Sequence, residues 1–211
     1  PIDGVLRRTL EHIGNETAAR ATTIVKFEPG SQFSPHVHTG GEEFIVLDGV
    51  FQDEHKDYPV GSYVRNPPQS SHTPGSEQGC TIFVKLWQFA PTDRCPVHID
   101  MHSTTPLPDN TRPGVQSNTL FSNENETVQL EHWQAETRIT VDTTSGAEIL
   151  VLEGNFNEGE DALNALSWMR IPIGTPFNAI TGSKGAKVWI KTGHLRFTEN
   201  EIERVVNFRL K

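Results

Sequence analysis

The chain has 211 residues, 35% of them hydrophobic, and a formal net charge of −9. With 18 Lys and Arg against 27 Asp and Glu and no basic cluster, nucleic acid and anionic membrane surfaces are electrostatically poor partners. No apolar run approaches the roughly 20 residues needed to cross a bilayer. The two cysteines, Cys80 and Cys95, make no disulfide framework and no C-x-x-C pair, so the composition predicts a soluble cytoplasmic protein.

Fourteen Pro and seventeen Gly, spread along the chain, predict many short elements joined by turns and hence an all-β architecture. In chain order, His36-Val37-His38 has period-2 spacing, so on a strand both imidazoles leave the same face. Thr39-Gly40-Gly41 offers a turn, and EEFIVLDGVF (42–51) reads as a strand that pairs back on the first and carries Glu42 toward the two histidines. His72 follows the Pro-rich stretch NPPQSSHTP. TIFVKLWQF (81–89), AEILVLEGNF (147–156) and KVWIKT (187–192) are further β-branched and aromatic runs. DALNALSWM (161–169) is the one segment with a helical look, yet it aligns with the non-helical KDYPVGSYV.

That alignment exists because the chain is written twice. GEEFIVLDGVF (41–51) matches GAEILVLEGNF (146–156) at an offset of 105, which also carries Ser62, Arg65 and Pro67 onto Ser167, Arg170 and Pro172. With one inserted residue, Gly79 and Lys85 fall on Gly185 and Lys191. Upstream, GVLRRTLEHIGNET (4–17) matches GVQSNTLFSNENET (114–127) at offset 110. The repeat predicts two barrels, residues 1–107 and 108–211, joined through STTPLPDNTRPG (103–114).

Three neutral imidazoles and one carboxylate (His36, His38, His72 and Glu42) are a suitable donor set for a borderline divalent cation. Glu43 competes with Glu42, but strand parity turns it away from the histidine face. Under the repeat offset the four donors fall on Val141, Thr143, Ala147 and Phe177, so the second barrel is expected to be degenerate and metal-free, its mouth filled by side chains. Cys80, Ile82 and Val84 match Ala186, Val188 and Ile190 and should face the interior. There Cys80 is either a redox-sensitive thiol near the metal or a small packed hydrophobe. Phe33, Phe44 and Phe51 serve as pocket lining or as core. His98-x3-His102 would share a face only on a helix, which Pro96, Pro106 and Pro108 oppose.

Residues 30–49 fit the first cupin motif, G(X)5HXH(X)3–4E(X)6G, at Gly30, His36, His38, Glu42 and Gly49. The second motif, G(X)5PXG(X)2H(X)3N, is met at Gly61, Pro67 and His72, with Gln69 in place of Gly and Ser76 in place of Asn. The wording from Gly40 to Cys80 resembles the cupin half of the anti-sigma factor ChrR. The resemblance implies tandem jelly-roll barrels and a zinc ion on His36, His38, Glu42 and His72; iron, manganese and nickel also suit these donors. It implies a sensor, regulatory or small-ligand-binding module, with a small molecule or oxidant as the partner at the metal. The helical sigma-binding motif H-x3-C-x2-C does not occur in these residues, so sigma-factor contact does not carry over. The alternative within the same superfamily is a metalloenzyme, such as a non-haem iron dioxygenase acting on a diketone-like or thiol substrate. No separate acid–base pair stands out for it.

Overall fold

A computed structural model describes residues 4–15 and 18–208, and the chain divides into two compact units: residues 1–102 with 198–211, and residues 103–197. The first unit contains eleven strands among the described residues: β1 (Val5–Gly14), β2 (Ala19–Phe27), β3 (Ser31–Gln32), β4 (His36–His38), β5 (Glu42–Gln52), β6 (Asp57–Pro59), β7 (Ser62–Asn66), β8 (Ser70–His72), β9 (Gly75–Ser76), β10 (Cys80–Leu86) and β11 (Val97–Asp100). Its main sheet runs β1-β2-β10-β5-β7-β11, while β4 and β8 form a separate two-stranded ribbon.

The second unit contains β12 (Leu107–Pro108), β13 (Val115–Ser122), β14 (Thr127–Trp133), β15 (Arg138–Thr140), β16 (Ala147–Glu158), β17 (Asp161–Asn164), β18 (Trp168–Ile171) and β19 (Asn178–Thr192). Its sheet order, β12-β13-β14-β19-β16-β17, repeats the first unit's run, with β1 matched by β13, β2 by β14, β10 by β19 and β5 by β16. The architecture is all-β, two cupin jelly-roll barrels in tandem.

The repeat holds at the level of single pairs. Glu43 lies opposite Arg65 and Lys85 across its two neighbouring strands; Glu148 lies opposite Arg170 and Lys191 in the same register. All six belong to buried or partly buried charge clusters, with Glu43–Arg65 and Glu148–Arg170 ion pairs. The ladder also slips at Leu10 and at Leu120, so even the bulge in the first long strand is duplicated. Gly49 and Gly154 both adopt positive φ, 68° and 71°. A Cβ at either would sit 2.1 Å from the carbonyl oxygen of Gly79 or Gly185, which explains why the motif demands glycine there.

Alternation fixes the interior. On β5, Phe44 and Val46 point inward with Ile82 and Val84 of β10 and Val25 and Phe27 of β2. Burying each such side chain contributes roughly 1.5–3 kcal/mol. Cys80 packs in this cluster, and burial pushes its thiol up to about 11, so it behaves as a small hydrophobe and not as a reactive thiol. Phe44 is core as well, whereas Phe33 and Phe51 reach the cavity described below.

Several expectations need correction. The H-x-H strand does not pair with β5: both edges of β5 near Glu42 are taken by β10 and β7, and β4 pairs with β8 instead. DALNALSWM, as its alignment with KDYPVGSYV implied, is not helical; it forms β17 and β18 around Leu166, at φ 68°, because β16 offers a pairing edge to both. The one α-helix among the described residues, α1 (Thr198–Phe208), went unforeseen and groups with the first unit, not with the second barrel that precedes it. Arg20, fully buried, pairs through Nε with Glu201 of α1 at 2.7 Å. Residues 97–100 are a strand of the first sheet, and Leu107 and Pro108, on either side of the expected boundary, both pair with β13 of the second.

Candidate metal centre

The ribbon of β4 and β8 sets His36 directly opposite His72, with His38 one pleat along on the same face. One nitrogen from each of the three rings lies within 4.8 Å of the others. His38 Nε2 and His72 Nε2 are 2.8 Å apart, a separation at which one ring donates to the other or both lone pairs converge on one cation. Glu42 enters from the start of β5 after the Thr39–Gly41 turn. Its Oε2 lies 3.4 Å from His38 Nε2 and 3.5 Å from His72 Nε2. The neighbouring Glu43 faces the other way, accepting a hydrogen bond from Tyr63 Oη at 2.6 Å.

The surroundings orient these donors. His36 Nδ1 donates to the Ser34 carbonyl at 2.9 Å, which leaves Nε2 as a bare lone pair. His72 Nδ1 donates to Asp53 Oδ2 at 3.3 Å, again freeing Nε2. Asp53 is itself held: Oδ2 accepts from Tyr58 Oη, and Oδ1 accepts the backbone N–H groups of His55 and Lys56. Asn66 donates to Glu42 Oε2 at 3.1 Å from the opposite residue of β7. Asp53 and Asn66 were not singled out from sequence. A signal for Asn66 was present, since the repeat offset places Ile171 at its counterpart, the same polar-to-apolar exchange seen at the histidines.

Burial keeps the site ready for a cation. Desolvation, aided by His36, pushes His38 down to about 4, and desolvation lowers His72 against the opposing pull of Glu42. Both rings are therefore neutral, lone-pair donors near pH 7. Desolvation raises Glu42, the cost of burying a carboxylate, while His72 and Asn66 pull it back. A divalent ion would relieve that cost, and the donor chemistry fits one.

Three of the four residues, His36, His38 and Glu42, line a cavity of about 670 Å³, within the size range of small-molecule sites. Val25, Phe27, Phe33, Ile82, Val84 and Leu86 give it an apolar body, and Trp87 closes one side. His98 and His102 take no part. His98 is on a strand, where four residues span roughly 13 Å, and its ring accepts from Lys56 Nζ and packs on Tyr58.

In the second barrel, Ala147 and Phe177 are core residues, and Phe177 packs against Phe156 and Trp133. Thr143 Oγ1 donates to the Thr175 carbonyl, and Val141 borders the core. The mouth is not wholly filled, however: a cavity of about 590 Å³ remains there. Glu131 stands where the first barrel has Val25, and Arg112 pairs with it through both terminal nitrogens. Both residues line that cavity, where each satisfies the other's charge.

The second motif's departure at Gln69 also has a structural consequence. Gln69 adopts φ 77°, the left-handed region where glycine is usual, and its counterpart Gly174 keeps both the glycine and the conformation, at φ 71°. The turn geometry survives the substitution at some cost in strain.

Residues 1–90 match the family described as the ChrR cupin-like domain. No curated protein matches the chain in sequence. Among solved structures, protein YlbA from Escherichia coli is similar with a TM-score of 0.67 at 14% identity, covering 92% of this chain and 84% of its own. The E. coli pirin YhhW in complex with nickel(II) gives 0.66 at 12% identity, with 91% and 93% covered. A point mutant of salicylate 1,2-dioxygenase from Pseudoaminobacter salicylatoxidans gives 0.61 at 10% identity, with 86% and 73% covered. At such identities the likeness establishes the fold.

Proposed function

We propose that this member of the cupin superfamily, whose first barrel resembles the ChrR cupin-like domain, holds one divalent ion on His36, His38, Glu42 and His72 and captures a small molecule beside it. The observation that carries this reading is that His36, His38 and Glu42 line the 670 Å³ cavity and are not enclosed in a shell of protein groups. An enclosed ion would be a staple; one that borders a cavity keeps a coordination position for exchange. Zinc is the first candidate, with iron, manganese and nickel compatible with the same donors. The second barrel, with Val141, Thr143, Ala147 and Phe177 at the matching positions, is in this reading metal-free and structural.

Such an ion, when bound, supplies a Lewis acid at the cavity floor. The chain's own residues do the rest. Ser34 and Asp53 fix the tautomers of His36 and His72, Asn66 positions Glu42, and the apolar wall excludes water from the bound molecule. A sensing or ligand-binding role is favoured over catalysis by the poverty of proton-transfer groups. Among the described residues lining the cavity, the titratable side chains other than the donors are Arg7 and His12. No helix among the described residues is long and apolar enough to cross a membrane. Both cysteines are free, as suits the cytoplasmic setting we assign.

The metalloenzyme reading rests on the same cavity, and on the salicylate 1,2-dioxygenase among the solved structures of this fold. One spectroscopic test separates an open site from a closed one. Cobalt(II)-loaded protein should change its visible absorption when azide is added, because azide enters the exchangeable position. An unchanged spectrum at saturating azide would mean that protein groups fill the coordination sphere. Oxygen uptake by the iron-loaded protein with diketone or thiol substrates would move the assignment to catalysis.

A further inference from the structure

We propose that the cavity beside the metal cluster selects a carboxylate-bearing small molecule with an apolar body, and that Arg7 is the residue that reads the carboxylate. This rests on the reading of the cavity as a ligand site, and it adds the chemical class of the ligand.

Arg7 is solvent-exposed on β1 and lines the cavity from the face of the strand that also carries Val5 and Thr9. It is opposite Val25, just as Val5 is opposite Phe27 and Thr9 opposite Thr23, and both Val25 and Phe27 belong to the interior cluster. All three partners also line the cavity. Among the described residues Arg7 has no hydrogen-bond or ion-pair partner; its one contact is with the Phe33 ring, 5.8 Å from Cζ to centroid. Phe33 in turn stands 6.1 Å from the His36 ring. The guanidinium and the metal cluster are thus two polar ends of one cavity, with an aromatic ring between them.

The charge balance points the same way. Of the carboxylates among the described lining residues, Glu42 is the only one, and it belongs to the cluster. A divalent ion on three neutral imidazoles and Glu42 keeps one net positive charge, and Arg7 adds another. A chain of net charge −9 has therefore gathered two positive charges and an apolar wall in one cavity. A planar guanidinium with its donors unspent matches a carboxylate in a bidentate pair better than any other small group.

The second barrel again serves as the control. Arg7 corresponds to Ser117, which pairs with Glu131 as Arg7 pairs with Val25, and His12 corresponds to Ser122. The arginine that does enter the second cavity, Arg112, is committed to Glu131 and Asp109. A free arginine accompanies the donor cluster in one barrel and is lacking where the cluster is lacking.

The test compares 3-phenylpropanoate with its neutral amide, 3-phenylpropanamide, by calorimetric titration of the zinc-loaded full chain, in wild type and in Arg7→Gln. Metal content is measured on each sample. Wild type should bind the acid more tightly than the amide by about tenfold or more. Arg7→Gln should weaken the acid by about tenfold and leave only the preference that the net positive metal cluster gives it, with amide affinity and zinc content unchanged. Arg7→Lys should restore only part of the difference, since a point charge lacks the fork geometry. Equal binding of acid by wild type and Arg7→Gln, or no acid binding by a zinc-loaded wild type at millimolar concentration, would overturn the assignment. If the chain takes up no zinc, the metal reading fails by itself, and the acid–amide comparison on the metal-free chain still decides the role of Arg7.

Discussion

Asp53→Asn is the substitution that most sharply probes how the site is built. Asp53 Oδ2 accepts from His72 Nδ1, while Oδ1 accepts the N–H groups of His55 and Lys56. An asparagine has one oxygen for these two tasks. If the oxygen stays on the 53–56 turn, its amide N–H faces His72 Nδ1–H, and the ring must move its proton to Nε2, the atom that faces His38. If the amide flips, His72 is served and the turn loses its acceptor. Either way, one side chain that is 3% exposed is left mismatched. Loss of a carboxylate that orients a ligating imidazole typically weakens metal binding by about 10–100-fold, or roughly 1.4–2.7 kcal/mol. Competition with a chelator of known zinc affinity at pH 7.4 measures this, and circular dichroism in EDTA confirms that the barrel persists. Zinc affinity within twofold of wild type in a folded variant would refute the claim that Asp53 sets the tautomer of His72.

Other substitutions test the remaining steps. His72→Ala should abolish stoichiometric metal binding, whereas Phe177→Ala, its counterpart, should cost about 3–5 kcal/mol of stability without loss of metal; equal metal loss in both would give the second barrel a part in the site. Glu43→Gln should break the buried pair with Arg65 and destabilise by about 3–5 kcal/mol while metal content stays the same. Metal loss in that variant, with the fold intact, would mean that strand parity assigned the wrong glutamate. Gln69→Gly should relieve a left-handed turn and raise stability by about 1 kcal/mol, and Gly174→Ala should lower it by a similar amount. Denaturant melts with opposite or null shifts would show that the turn tolerates side chains freely.

Much of the fold was legible because the chain states it twice. A match such as GEEFIVLDGVF with GAEILVLEGNF constrains register as well as strand identity, and the buried charge pairs of Glu43 and Glu148 repeat accordingly. Glu42 and Glu43 could be told apart by the spacing to Gly49 and by parity, since alternation on a strand between two neighbours leaves little freedom. Pairing partners were less legible. Ser70–His72 has no β-pattern of its own and becomes a strand only because β4 lies beside it, so the ribbon that unites His36 with His72 could not be read from propensity. Asp53 carries no motif and acts through a single contact that long-range packing creates. α1 announced itself in Thr198-x-x-Glu201, the spacing of a capping box, but Glu201 is spent on Arg20, 181 residues away, and that partnership has no local signature. DALNALSWM shows the reverse, a helical composition overridden by the open edge of β16.

One ion in the first barrel and none in the second is the claim on which the other predictions depend. The most direct measurement is the number of divalent metal equivalents per chain, by elemental mass spectrometry, in protein purified without a metal-affinity tag, reloaded and desalted. One equivalent per chain is the predicted result. Two equivalents, or none after reloading of a folded protein, would contradict it.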